Sequence, residues 1–494
     1  MTNSIKYSIP EYLLSFLSEG YGKSMIIKGN PGSGKTTFAL QILENFTDVR
    51  NPILLSTRIG DESLYSQFPW LKEYEKKIKI LFSSEIFLSE INKENKKTEK
   101  SAAKLLLSEI NEKQYVSKFF YYHILKDQNS PEILKIYSEI ESNLPKKSLV
   151  VIDSLEGLSN TLKIPESFIV YMLQKDLVET SQSDVVYISE KNKTSPEDFI
   201  VDALIIIESV PEEKRTYRRL TLNKLRGKST AFPVYPFTLS NGHVHVFSSL
   251  EKNINIFNKF EIVPFKEGYF SSGIKELDNK IGGGFMIGSL VNIEVDRDVS
   301  LESLRFIRNQ LFINTIIQGK GINHTPAPGS SYIDVKNLML NYVSENDFYR
   351  NYINIDYTTF KPYGKNHFTL AGLDMDKAYQ IDKKETEEFS KRKNLTISWV
   401  HYDVLEHFFG SDRVMKILFD MLSLKRQLNA NTIALTKPGQ KINNEITNIA
   451  DYKFKIISKD NVIFLYGIKP FTLFYAIEID EEKGFPNIKL TPVT

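Results

Sequence analysis

Short runs of consecutive apolar residues recur along this chain, each closed by polar ones. Met25-Ile26-Ile27, Ile53-Leu54-Leu55, Leu149-Val150-Val151-Ile152, Val185-Val186-Tyr187-Ile188 and Ala203-Leu204-Ile205-Ile206-Ile207 are the clearest in the first half. Such runs predict strands covered on both faces, as in a parallel sheet flanked by helices. Ile9 to Leu17 and Thr37 to Leu43 read as helices. Arg218 to Gly227 alternates with period two, which places Lys224 and Arg226 on one strand face. His243 and His245 share a face in the same way and are expected to be surface histidines. Phe68-Pro69-Trp70-Leu71 reads as an aromatic plug against the sheet. From 85 to 145, charged stretches such as Lys93-Glu94-Asn95-Lys96-Lys97 alternate with apolar ones such as Leu105-Leu106-Leu107. Solvated helices and a partner-binding insertion are both open readings there.

The 494 residues exceed what one core ordinarily organises, so two domains are expected. Contents of 41% hydrophobic and 25% charged residues describe a soluble globular protein, and a formal charge of +2 gives no reason to expect a large nucleic-acid footprint. The absence of cysteine excludes disulfides, thiolate metal sites and cysteine nucleophiles. The chain opens without a signal-peptide layout and holds no apolar run long enough to span a bilayer, so a cytoplasmic location is expected.

The chemistry is concentrated in Gly29-Asn30-Pro31-Gly32-Ser33-Gly34-Lys35-Thr36, which matches the phosphate-binding pattern G-x-x-x-x-G-K-[ST] between an expected strand and an expected helix. Glycines let backbone N–H groups converge on a triphosphate. Lys35 is expected to reach the β- and γ-phosphates and Thr36 to offer its hydroxyl to Mg²⁺, with Thr37 closing the stretch. The helix that follows adds its positive end. Downstream, the run Leu149 to Ile152 ends in Asp153, a Walker B pattern that carries a carboxylate to the sheet edge beside Thr36. Glu156 is spaced to face the same site or simply to start a helix. The strand Asp184 to Ser189 ends at Glu190, whose polar end is a candidate sensor of the γ-phosphate.

The phosphate loop, Val151-Ile152-Asp153-Ser154, Val201-Asp202-Ala203 and Lys224-Leu225-Arg226-Gly227 occur in an order and spacing that resemble RecA-superfamily ATPases of the KaiC type. Leu55-Ser56-Thr57-Arg58 through Gln67-Phe68-Pro69-Trp70 looks more like the archaeal GvpD branch, named for a regulator of gas vesicle synthesis. The resemblance implies ATP as the nucleotide and places Lys224 and Arg226 at the nucleotide of a neighbouring subunit. KaiC-type proteins usually carry two glutamates after the second strand, one of which activates water. Arg58 and Ile59 hold the matching positions here, and a guanidinium cannot serve as a base. Asp61, Glu62 and Glu156 are the substitutes, so slow hydrolysis is expected.

In the second half, Ser271-Ser272-Gly273-Ile274 to Leu277-Asp278 and Gly282-Gly283-Gly284 resemble the opening signature of a KaiC domain ahead of the strand Leu290 to Glu294. A phosphate loop is due next. Val295 to Glu302 fills its place with no glycine, with Leu301 at the lysine position and Glu302 at the hydroxyl position. Asp296, Asp298 and Glu302 would repel a triphosphate. Leu395 to Asp403, Asn431 to Thr436 and Ile449 to Phe454 match the later strands. The expected fold is therefore α/β: two tandem RecA-like P-loop domains, each a doubly wound, mainly parallel sheet, the second degenerate. The expected boundaries are 1–250, a linker at 251–265, and 266–494.

The leading expectation is a regulatory ATPase that binds ATP and Mg²⁺, assembles with itself when ATP is bound, and engages a regulatory protein partner. The alternative is a recombination or repair factor acting on single-stranded DNA, for which Lys191-Asn192-Lys193-Thr194 is the one modest candidate loop. The candidate catalytic residues are Lys35, Asp153, Glu62, Glu156 and Glu190. Gly29 to Thr37, with Lys224 and Arg226, are the candidate nucleotide contacts, and Thr36 and Asp153 the candidate metal contacts.

Overall fold

The structure is a computed structural model that describes residues 9–57, 61–83, 131–240, 242–250, 259–327, 329–393, 395–480 and 487–494. Arg58 and Ile59, most of 85–145 and the start of 251–265 lie outside the described residues. The chain divides into two compact units, Met1–Val246 with Thr494, and Phe247–Val493.

The first unit is built on β1 (Ser24–Gly29), β2 (Asn51–Ser56), β3 (Lys79–Phe82), β4 (Ser148–Asp153), β5 (Asp184–Ser189), β6 (Ala203–Glu212), β7 (Arg215–Leu225), β8 (Val234–Ser240) and β9 (His243–Val246). Their order is β3-β2-β4-β5-β1-β6-β7-β8-β9. The strands from β3 to β6 are parallel, and β7 to β9 extend the sheet antiparallel. Every residue of β1 and β5 is buried, which is why neither run tolerates a polar alternation. The two-residue period of a strand sorts β1 between the layers. Met25 and Ile27 pack with Phe38 and Ile42 of the helix Lys35–Asn45, whereas Ile26 packs with Ile133, Ile136 and Leu158 from helices on the other face.

Phe68 and Leu71 are buried in the first of these cores, in keeping with a plug. The reading of His243 as a surface residue is corrected: it is only 6% exposed, stacked on Trp70 at 4.4 Å and 3.2 Å from Glu44. The cause is tertiary. The helix Lys35–Asn45 covers β9, with Gln41 bonded to both the N–H and the C=O of Val244.

The second unit opens with an antiparallel pair, β10 (Tyr269–Phe270) and β11 (Phe285–Met286). Between them the buried Asp278 carboxylate accepts from Ser271 Oγ (2.5 Å) and from Ser272 N and Oγ (2.9 and 2.6 Å), which explains the spacing of that signature. The main sheet comprises β12 (Leu290–Val295), β13 (Gly321–Thr325), β14 (Tyr352–Asp356), β15 (His367–Thr369), β16 (Thr396–His401), β17 (Ala430–Thr436), β18 (Tyr452–Lys459), β19 (Val462–Lys469), β20 (Tyr475–Ile479) and β21 (Ile488–Pro492). Its order is β15-β14-β13-β16-β17-β12-β18-β19-β20-β21. Apart from the added edge strand β15, this repeats the first sheet strand for strand, with β12 in the place of β1, β16 in that of β4 and β17 in that of β5. Parallel pairing again gives way to antiparallel pairing after β18. The fold is thus two tandem α/β domains of one topology.

Candidate nucleotide-binding site

The central strand β1 delivers Gly29 to the carboxyl edge of the sheet, beside Ile207 of β6. A Cβ at Gly29 would overlap the Ile207 carbonyl oxygen, so the chain can turn here only with glycine. Gly34 precedes the helix Lys35–Asn45 at φ 105°, and the helix starts without a side-chain cap. Its first N–H groups are the orphan donors that an anion satisfies at a helix N-terminus. Ser33 Oγ is also buried with no partner among the described residues. Asn30, Pro31 and Gly32 form the exposed outer side of the loop, whereas Lys35 and Thr37 are buried.

The ammonium of Lys35 curls back on the loop, donating to the carbonyls of Gly29 (2.7 Å) and Asn30 (2.9 Å). Thr36 Oγ1 donates to Asp153 Oδ2 at 2.8 Å. This contact joins residues far apart in sequence because only β5 separates β4 from β1 and β4 ends on the same edge. Ser154 caps the next helix, Leu155–Leu162, by accepting from Gly157 N. In its first turn Glu156 points across to β5, where its Oε1 accepts from Ser189 Oγ (2.6 Å) and Glu190 N (2.8 Å). Glu156 Oε2 is buried and unpartnered among the described residues. The structure therefore brings together Gly29 to Thr37, Asp153, Glu156 and the Ser189-Glu190 strand end. Glu62 is exposed on the short helix Asp61–Gln67.

Lys224 and Arg226 are not part of this cluster. Lys224 pairs with Leu204, near the start of β6, whereas Gly29 pairs with Ile207. The two cations therefore sit toward the opposite edge of the sheet, Lys224 roughly 10 Å along the strand from the Gly29 level and Arg226 further still. Lys224 Nζ donates to the carbonyls of Asp198, Phe199 and Val201 (3.0, 3.3 and 2.6 Å), and Arg226 pairs with Asp202 at 3.0 Å. Burial lowers the pKa of Lys224, helped by the charge of Arg226. Arg218, six residues earlier on the same strand, was missed in the sequence: it donates to the Gly32 carbonyl of the loop at 2.9 Å. A third cation on the β7 alternation was the available signal.

The loop Lys191 to Thr194 is tied to its surroundings. Lys191 pairs with Glu166 at 2.7 Å, Asn192 bonds Asn30, and the Lys193 carbonyl accepts from Lys28. In the second unit the helix Leu301–Ile317 begins where Lys35–Asn45 begins in the first, but Ser300 caps it by accepting from Ser303 N. Leu301 and Glu302 are exposed.

A glycine loop between the central strand and an uncapped helix, with a threonine–aspartate contact at the strand edge, defines a P-loop nucleotide-binding domain of the RecA-like kind. The comparisons agree. Residues 13–111 match the family model for the GvpD gas vesicle protein, P-loop domain. The chain is 21% identical to Protein GvpD2 and to Protein GvpD1 of Halobacterium salinarum, in each case over 98% of this chain and 96% of the relative. It is 30% identical to the circadian clock oscillator protein KaiC of Nostoc sp. over 19% of this chain and 17% of that protein. The chain therefore resembles GvpD proteins over nearly its whole length and KaiC-type ATPases over one segment. Among the described residues no helix is long and apolar enough to cross a membrane.

Proposed function

We propose that the chain is a regulatory ATPase in which ATP binding, followed by slow hydrolysis, sets its conformation, its assembly with further copies and its grip on a protein partner. The observation that carries this reading is the 2.8 Å contact between Thr36 and Asp153 at the mouth of the glycine loop. The residues fit ATP–Mg²⁺. The uncapped helix start and the unpartnered Ser33 hydroxyl offer donors to phosphate, and Lys35 can exchange two loop carbonyls for phosphate oxygens. Thr36 and Asp153 would hold the metal, which when bound neutralises phosphate charge. Glu156 is the best-placed carboxylate to orient water, because Ser189 and Glu190 fix one oxygen and leave the other unpartnered. The two units serve as the two domains, the first holding nucleotide and the second offering surface.

Self-assembly is supported by where Lys224 and Arg226 stand. They lie toward the far edge of their own sheet, so a phosphate they neutralise belongs to another copy. A cation supplied in this way is worth on the order of 10³-fold in rate or more. The tethering of Lys191 to Thr194 weighs against the single-stranded DNA reading. Two measurements test the proposal. Calorimetry should show ATP binding lost in Lys35→Ala while the circular dichroism is unchanged; undiminished affinity would reject the site. Light scattering with a non-hydrolysable ATP analogue should show assembly of the wild type and none of Lys224→Ala/Arg226→Ala. A wild type that stays monomeric with analogue bound would reject the assembly.

A further inference from the structure

The second unit lacks the glycine loop, yet a cavity of about 250 Å³ opens beside the helix that follows the corresponding turn, between Leu301–Ile317 and Tyr332–Met339. Phe306, Val335 and Leu338 give it apolar walls, and Arg308 and Asn309 line it. Arg308 is only 6% exposed. Its Nε and one terminal nitrogen donate to Asn309 Oδ1 at 3.3 and 3.0 Å, and the guanidinium lies 5.6 Å from the Phe312 ring. An amide and a ring satisfy geometry but supply no counter-charge. Among the described residues no carboxylate pairs with Arg308. Glu302 and Asp334 also line the cavity and their charges act on Arg308 from a distance, but both are exposed, Glu302 pairs with Arg305 at 2.8 Å, and neither is bonded to Arg308. Burial draws the Arg308 pKa down to about 10, which leaves it charged at neutral pH. His324, which feels the charge of Arg308, is held neutral by burial and offers no compensation.

A buried cation without a counter-ion is costly, and an oxyanion bound to its planar fork would remove that cost. An apolar cavity of about 150 Å³ accommodates benzene, so this one has room for a ring and a head group. We propose that the second unit binds a small organic oxyanion, a phosphate monoester or a carboxylate with an apolar body, its head on Arg308 and its body between Phe306, Val335 and Leu338. Such a ligand would let the unit without a phosphate loop sense a metabolite rather than a triphosphate. The inference does not rest on the nucleotide reading of the first unit.

The test uses the full chain carrying Lys35→Ala, so that the glycine loop does not report. The probes are phenyl phosphate and benzoate, which separate the two head groups, with inorganic phosphate and benzyl alcohol as controls for head and body alone. Near a hundred times its Kd, phenyl phosphate or benzoate should raise the melting temperature by about 5 °C. Inorganic phosphate should bind at least tenfold more weakly, and benzyl alcohol should give no shift. Arg308→Met should abolish the shift and raise the ligand-free melting temperature, because it removes an uncompensated charge. Leu338→Trp, which fills the cavity and leaves Arg308 in place, should also abolish the shift. No shift with either anion, or a shift that survives Leu338→Trp, would overturn the proposal. So would an Arg308→Met chain that is less stable yet still responds to the anion.

Discussion

β1 and β12 occupy the same place in two sheets of one topology, and each leads after a five-residue turn into a helix, at Lys35 and at Leu301. The two turns solve one problem in opposite ways. In the first unit Gly34 stands at φ 105° with no side-chain cap, so the helix start looks outward for an anion. In the second, Ser300 stands at φ −66° and its own hydroxyl accepts from Ser303 N. The strand ends differ in the same spirit. Lys28, seven residues before Lys35, pairs with Asp198 at 2.6 Å. Glu294, seven before Leu301, pairs with Lys453 at 2.7 Å and Lys455 at 3.2 Å. The pairing is kept and its sign reversed. A helix N-terminus can be satisfied from outside by a ligand or from inside by a side chain, and a fold that changes from one to the other keeps its topology while losing its chemistry.

The largest effect should come from breaking the buried pairs. Asp198→Ala leaves Lys28 uncompensated and should cost about 3–5 kcal/mol in urea unfolding. Lys453→Met should cost clearly less, because Lys455 remains on Glu294. Equal costs would mean that the two pairs are not counterparts in their energetics.

Acid should distinguish the units next. Burial and the nearby charges of Arg308 and His401 hold the pKa of His324 well below the usual histidine value. The unfolded chain therefore binds more protons below pH 6.5. The contribution of His324 is fully present above that pH and is lost as pH falls. The loss should grow steadily as pH falls below 6.5. His324→Gln should flatten the dependence of second-unit stability on pH between 7 and 5, and an unchanged slope would assign it elsewhere.

The turns themselves should show smaller effects. Gly34→Ala forces a Cβ into a left-handed conformation and to 3.2 Å from Leu239, at a cost of about 1–2 kcal/mol. Ser300→Ala removes a cap and should cost about 1 kcal/mol. Ser300→Gly should cost only a few tenths. Thermal unfolding of the full chain with each substitution checks all three, and a Gly34→Ala cost no greater than that of Ser300→Ala would remove the contrast between the turns.

Much of this was legible in the sequence. A phosphate loop is eight adjacent residues, and a buried strand is a local apolar run. Both are fixed by covalent geometry and short-range exclusion, so Gly29 to Thr36, the Asp153 strand and the loss of glycine before Leu301 could be read directly. The later runs also showed that the second half repeats the first. What the sequence could not supply is which side chains meet across the fold. His243 looked like a surface residue until the helix Lys35–Asn45 and Trp70 covered it. Lys224 and Arg226 were candidate nucleotide contacts through a resemblance alone, and only the registers of β7 on β6 and of β6 on β1 show how far they stand from the loop of their own chain. Arg218 at the Gly32 carbonyl, the inverted Lys28 and Glu294 pairs, and the uncompensated Arg308 beside its cavity depend on strands and helices distant in sequence. Local pattern determines the elements and the loop chemistry; sheet order and layer packing decide the partners, because burial and charge pairing are properties of neighbours in space.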